Sequence, residues 1–258
     1  MPVLVGLGGW SNHIYVSEAA FPLIRPLAIP VEHGAWSFLL EPIALGLIVA
    51  PSGHGVLIAI GMVAVMLVRQ PLKLMLRDWS RQRYPRTAIC ESLVATYGLA
   101  ALIAFWVAYG PALVPLLIAI PFGVTQFLYD ARNQNRRLIA ELCGVMASAP
   151  VVASIALAGG KSLAVSGALA ALVLARGIPA VLYVRSVLRG ESRLRMVIAH
   201  AFAIAVAAFV SWPAVAAMVL LLARALIPMR NARAQKVGVR EIGFGIAFVA
   251  LTAIGYRM

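Results

Sequence analysis

Apolar runs long enough to cross a lipid bilayer recur from residue 34 to residue 256, with only short polar stretches between them. A spanning helix needs roughly 20 mainly apolar residues, because away from water its backbone groups must pair within the segment itself. The runs fall at about 34–50, 55–69, 92–109, 111–129, 138–159, 162–184, 195–211, 212–229 and 239–256. They predict an all-α fold, a polytopic transmembrane helical bundle of about nine spans over 31–258, preceded by an N-terminal interfacial segment over 1–30. With 62% of its residues apolar and 12% charged, the chain leaves no stretch for a separate soluble domain. The first 30 residues lack the basic start of a secretory signal, and Trp10, Tyr15, Phe21 and Arg25 suit a helix lying among lipid headgroups.

The connections alternate in charge. Residues 69–86 hold six Lys/Arg, 132–137 three, 185–195 four and 230–240 four, together 17 of the 22 in the chain. The intervening connections and the C-terminus offer Lys161 and Arg257. Cytoplasmic loops collect Lys and Arg, so the four rich connections are expected inside, the N-terminus inside and the C-terminus outside. That orientation requires an odd number of spans, and nine satisfies it. A net charge of +13 is compatible with binding nucleic acid through counterion release. Its placement at span ends points instead to membrane lipids with anionic headgroups as partners, and no nucleic-acid partner is expected. Cys90 and Cys143 are far apart and lack ligand spacing, so they read as packed thiols.

Ionisable groups at membrane depth are costly, which makes them the default site candidates. In the first span His33 and Trp36 precede Glu41-Pro42, with Glu41 about two turns deeper; Trp36 also fits an aromatic belt. The four histidines have no metal-ligand spacing, and no metal site is expected. Arg69-Gln70-Pro71 opens a series in which Arg69, Lys73, Arg77 and Arg81 repeat every four residues, one broad face of a helix. That face is either a stripe turned to headgroups or the wall of an anion-binding cleft. Arg137 and Glu141 are four apart and can pair along one helix. Arg176-Gly177-Ile178-Pro179 lies deep in the sixth span, followed by Tyr183, Arg185 and Arg189. Snorkelling from that depth is difficult, so Arg176 is expected to meet an internal partner such as Glu41, Glu141 or a bound anion. Arg224 raises the same question in the eighth span.

Several phrases carry a resemblance. Glu32-His33-Gly34-Ala35-Trp36 with Glu41-Pro42, then Arg69-Gln70-Pro71, then Glu141-Leu142-Cys143-Gly144, resemble the YwiC-like family of bacterial membrane proteins. Together with the span count and orientation, they are similar to the UbiA superfamily of intramembrane prenyltransferases. The resemblance implies a UbiA-prenyltransferase-like bundle in the bacterial cytoplasmic membrane. Members of that superfamily hold Mg²⁺ and an isoprenyl diphosphate with paired aspartate-rich motifs, hard oxygen ligands for a hard cation. This chain has two aspartates, Asp78 and Asp130, and its closest acidic pair is Glu32 and Glu41. Arg69, Gln70, Lys73 and Arg77 stand where the first motif belongs, and Arg176, Arg185 and Arg189 where the second does.

Magnesium is therefore not expected, and no cofactor is identified. The leading expectation is binding of an anionic amphiphile, whether an isoprenoid phosphate, a lipid or a quinone-like molecule, without magnesium-dependent prenyl transfer. The ligand-binding candidates are His33, Trp36, Glu41, Arg69, Gln70, Lys73, Arg137, Glu141, Arg176, Tyr183 and Arg185, with no catalytic residue assigned. Two alternatives stay open: an atypical prenyltransferase-like enzyme, and an accessory subunit of a larger energy-converting membrane complex. No internal repeat favours a transporter.

Overall fold

The computed structural model describes residues 26–29, 33–79, 84–227, 229 and 233–256. Nine α-helices follow one another among the described residues. They are α1 His33–Val49, α2 Gly53–Trp79, α3 Tyr84–Val107, α4 Val114–Ala131, α5 Leu138–Ala158, α6 Leu163–Arg189, α7 Arg193–Ala208, α8 Trp212–Leu226 and α9 Ala234–Gly255. A 3₁₀ turn at Pro111–Leu113 leads into α4. Six segments, in α2, α3, α4 with its 3₁₀ turn, α5, α6 and α9, are long and apolar enough to cross a membrane, which makes this a multi-pass helical membrane protein. The other three helices have 17, 16 and 15 residues. The predicted N-terminal interfacial segment lies outside the described residues except for 26–29, where Leu27 packs against Leu74, Met75 and Cys90.

Consecutive helices run up and down between two ends. At the charge-poor end Ser52, Ser162 and Ser211 cap α2, α6 and α8, each accepting a hydrogen bond from a backbone N–H three residues on. At the basic end α2 and α6 run on past the predicted spans, to Trp79 and Arg189. Beyond residue 69 the apolar Leu74 and Met75 stay buried while Arg69 and Lys73 find a carboxylate, so helix remains the cheaper state. Pro71 sits within that helix.

Helix α5 is the hub, packed against α1, α2, α4 and α6. Its Val151, Val152, Ile155 and Ala156 are fully buried, and small residues let neighbours approach. At Gly46 of α1, a Cβ would overlap Ile155. Helices α6 to α9 close the bundle back onto α1 around Leu45, Leu169, Leu172, Met218 and Phe248. By contrast, α3 and α4 present Leu99, Leu102, Trp106, Leu117 and Ile118 outward, an apolar surface suited to lipid tails.

Candidate functional site

The chain's carboxylates and guanidinium groups come together in four clusters. Near the basic end, the turn between α4 and α5 is fastened on both sides. Before the turn, buried Asp130 accepts hydrogen bonds from Arg69 Nε at 2.8 Å and Lys73 Nζ at 2.7 Å, both from α2. After it, Glu141 accepts from Arg185 Nη1 at 2.8 Å and from Arg189 Nη2 at 3.1 Å, both from α6. The same arginines donate to the Arg136 carbonyl at 3.1 and 2.6 Å, and Arg185 also holds Glu191. Asp78, at the end of α2, is gripped by two nitrogens of Arg86 from α3. The guanidinium of Arg185 holds the Glu191 carboxyl below the ordinary glutamate range, an effect that partial burial opposes and Arg189 and Arg195 reinforce.

The fourth cluster is inside the bundle. Arg176 lies midway along α6 and is 3% exposed, and Arg224 of α8 is 2% exposed. Arg176 Nη2 reaches Glu41 of α1 at 3.4 Å and the Glu241 carbonyl of α9 at 3.3 Å, while its Nη1 reaches the Glu241 carboxylate at 3.5 Å. Arg224 Nη2 donates to the same carboxylate at 2.9 Å. The Arg224 guanidinium stacks on Tyr183, 4.0 Å from the ring centroid, with Phe244 on a second side at 5.4 Å. Tyr183, Met196 and Val237 pack together around this cluster on its basic side. Two cations and two anions balance, which is how charge is tolerated at low dielectric. Arg176 Nε, Arg224 Nε and Nη1, and Glu241 Oε1 are buried without a hydrogen-bond partner among the described residues.

The sequence candidates thus divide. Glu41, Arg176 and Tyr183 meet in the interior, and Glu41 is indeed a partner of Arg176. Arg69 and Lys73 form one basic-end cluster, and Glu141 and Arg185 another; α5 runs between α2 and α6 and keeps the two apart. Gln70 donates to the Pro26 carbonyl at 3.3 Å and joins none of the clusters. Trp36 is half-buried in the first turns of α1, whereas the side chain of His33 lies outside the described residues. Arg137 is exposed at the start of α5, and its expected pairing with Glu141 is replaced by the two α6 arginines. Glu141 lies close to the end of α6, where it accepts from two guanidiniums, themselves anchored on the Arg136 carbonyl, in place of one neighbour on its own helix.

Sequence reasoning missed Glu241 and undervalued Arg224. The one available signal was indirect: a cation in the eighth span calls for an anion at similar depth, and Glu241 is an acid near the start of the last span. The basic groups are also less available than their number suggested. Six of the seven described carboxylates form ion pairs, and the seventh, Glu91, accepts from Trp79 at 3.0 Å. Among the described residues, no group of three or more His, Cys, Asp or Glu could hold a metal ion. Two shallow depressions mark the surface. One, of about 310 Å³, lies at the charge-poor end beside His54 and Tyr109; the other, of about 380 Å³, is an apolar groove along Val56, Val63, Leu67 and Tyr97.

Residues 29–156, spanning α1 to the last turn of α5, match the family model described as YwiC-like protein. No curated protein matches the chain, and no solved structure does. Glu41, Asp130 and Glu141 fall inside the matched stretch, whereas Arg176, Arg185, Arg224 and Glu241 fall beyond it.

Proposed function

We propose that the chain is a YwiC-like protein of the bacterial cytoplasmic membrane that holds an anionic amphiphile by its headgroup at the basic end. In this reading all nine helices span, the three short ones reaching across a locally thinned bilayer, and the basic end faces the cytoplasm, with the N-terminus inside and the C-terminus outside. One observation supports it above others. Among the described residues, Asp130, Glu141 and Glu191 already bind Arg69, Lys73, Arg185 and Arg189, and Arg132, Arg136, Arg137, Arg193 and Arg195 stand exposed around the α4–α5 turn and the start of α7 with an excess of positive charge. Arg185 and Arg189 fasten the Arg136 carbonyl to the end of α6, which brings these surfaces side by side. Guanidinium groups suit phosphate or carboxylate oxygens, and the apolar flanks of the bundle receive the tail. Kinship with the UbiA superfamily rests on the resemblance in span count, orientation and sequence phrases and is not needed here.

The test is lipid retention. Full-length protein released in mild detergent should carry an anionic amphiphile visible by native mass spectrometry, in preference to zwitterionic lipid. Replacing Arg136, Arg137 and Arg193 together by Gln should reduce that retention several-fold while the unfolding temperature stays near wild type. Equal retention of anionic and zwitterionic lipid, before and after the substitutions, sinks the reading.

A further inference from the structure

We infer that Glu41 is a proton-binding site inside the bundle, and that loading it releases α1 from the charge network joining it to α6 and α9. The inference stands apart from the headgroup reading, because it concerns groups at the centre of the bundle.

The geometry around Glu41 is uneven. Arg224 and Glu241 meet at 2.9 Å, whereas Arg176 straddles two carboxylates at 3.4 and 3.5 Å. Among the described residues, the contact to Arg176 is the one ion pair that Glu41 makes. Glu41 lies directly against Gly245 of α9, where a Cβ would overlap its carboxylate, so the approach depends on a residue without a side chain. Its side chain is 15% exposed, the most reachable of the four charged groups. A buried anion with a single long contact is expensive, and a neutral carboxyl in the same place costs less. When Glu41 becomes neutral, Arg176 keeps the Glu241 carboxylate and carbonyl, but the cluster passes from balanced to one net positive charge, so the Arg176 contact opposes proton uptake while burial of Glu41 favours it.

The groups facing Glu41 are few. Among the described residues, α6 supplies Arg176, α8 supplies Arg224 and α9 supplies Glu241. Tyr183 stacks on Arg224, His200 of α7 binds the Met196 carbonyl, and Arg240 lies over Phe244, so these three meet the network's neighbours and not Glu41 itself. Helices α2 and α5 also pack on α1 but send their carboxylates elsewhere: Asp78 to Arg86, and Glu141 to Arg185 and Arg189. In the step itself a hydronium ion gives its proton to a Glu41 carboxylate oxygen and becomes water. One O–H bond of the hydronium breaks as an O–H bond forms on Glu41, the positive charge of the hydronium and the negative charge of Glu41 disappear together, and no other bond changes. With its charge gone, α1 is held at this level by packing alone, and Pro42 next to Glu41 already removes one backbone hydrogen bond from that turn.

Infrared difference spectroscopy of the full chain in lipid vesicles tests this, with the bulk stepped from about pH 9 to about pH 4, a window covering ordinary carboxyl and imidazole values. Wild type should show a carboxylic C=O band that grows as pH falls and shifts in deuterated water. Glu41→Gln should abolish that band. Gly245→Ala, which pushes the carboxyl from its seat, should move the midpoint by at least a several-fold change in proton concentration. Absence of a titrating buried carboxyl in wild type overturns the proposal, as does a band that survives Glu41→Gln. If the glutamine variant fails to fold, the Gly245→Ala midpoint decides: displacement supports the site, and an unchanged midpoint overturns it.

Discussion

The Arg224 guanidinium lies flat on the Tyr183 ring, 4.0 Å from its centroid, while its Nη2 binds Glu241. One side chain of α8 thus joins α6 by stacking and α9 by charge. Removing it leaves Glu241 sharing the loosely placed Arg176 with Glu41. Arg224→Gln is therefore expected to destabilise the protein by about 3–5 kcal/mol, the usual consequence of stranding a buried charge. Tyr183→Leu keeps the ion pair, loses the stacking, and should cost about 1–2 kcal/mol. Thermal unfolding in detergent compares them; a Tyr183→Leu loss as large as that of Arg224→Gln would mean that the ring, not the charge, holds α8.

Close helix approach makes a second expectation. At the end of α5, a Cβ on Gly159 would come within 2.5 Å of the Ala50 carbonyl oxygen, a backbone atom that cannot swing aside. Gly159→Ala should therefore push α1 and α5 apart and cost about 1–3 kcal/mol. Gly123 of α4 has nothing within 4 Å of its would-be Cβ, so Gly123→Ala should be neutral or stabilise by up to about 1 kcal/mol through helix propensity. Unfolding temperatures that move equally in the two variants would contradict this difference.

Much of the architecture was legible because the membrane imposes it. Among the described residues, the nine apolar runs became nine helices, and the described basic groups of α2, α6 and the α4–α5 turn lie at one end. The helices run on past the apolar runs ending at Arg69 and Val184, as the four-residue spacing of Arg69, Lys73 and Arg77 implied, because a helix continues as long as its polar face finds partners, as Arg69 and Lys73 do on Asp130. Cost alone placed Glu41 among the candidate partners of Arg176, beside Glu141 and a bound anion, and Arg176 meets Glu41. Glu241 did not: pairing across 65 positions has no local signature, and an acid eight residues into a helix whose first turns are basic looks like a headgroup neighbour. Reading the Arg69 series as either a headgroup stripe or the wall of an anion-binding cleft left out the carboxylate that the fold brings to Arg69 and Lys73.

Asp130 offers a third test. It is buried and serves two cations from α2. Asp130→Asn leaves both half-buried cations facing an amide and should cost about 3–5 kcal/mol, whereas Lys73→Met removes one cation, keeps the Arg69 contact, and should cost about 1 kcal/mol or less. Parallel unfolding curves give the ranking, and a Lys73→Met penalty equal to that of Asp130→Asn would show that the lysine alone secures α2 to α4.

Glu191 predicts how stability responds to acid. The Arg185 guanidinium holds its folded-state carboxyl below the ordinary value, so the unfolded chain takes up a proton more readily than the folded one. The contribution of this pair is fully present above the ordinary glutamate value of about 4.3 and fades as pH drops through the lower folded value. Glu191→Gln removes the titrating group while keeping its shape. The unfolding temperatures of wild type and Glu191→Gln should therefore differ most near neutral pH and converge below about pH 4, where the remaining carboxylates titrate alike in both proteins and cancel from the difference. A gap that stays constant into acid would mean that the Arg185 contact with Glu191 contributes through shape and not through charge.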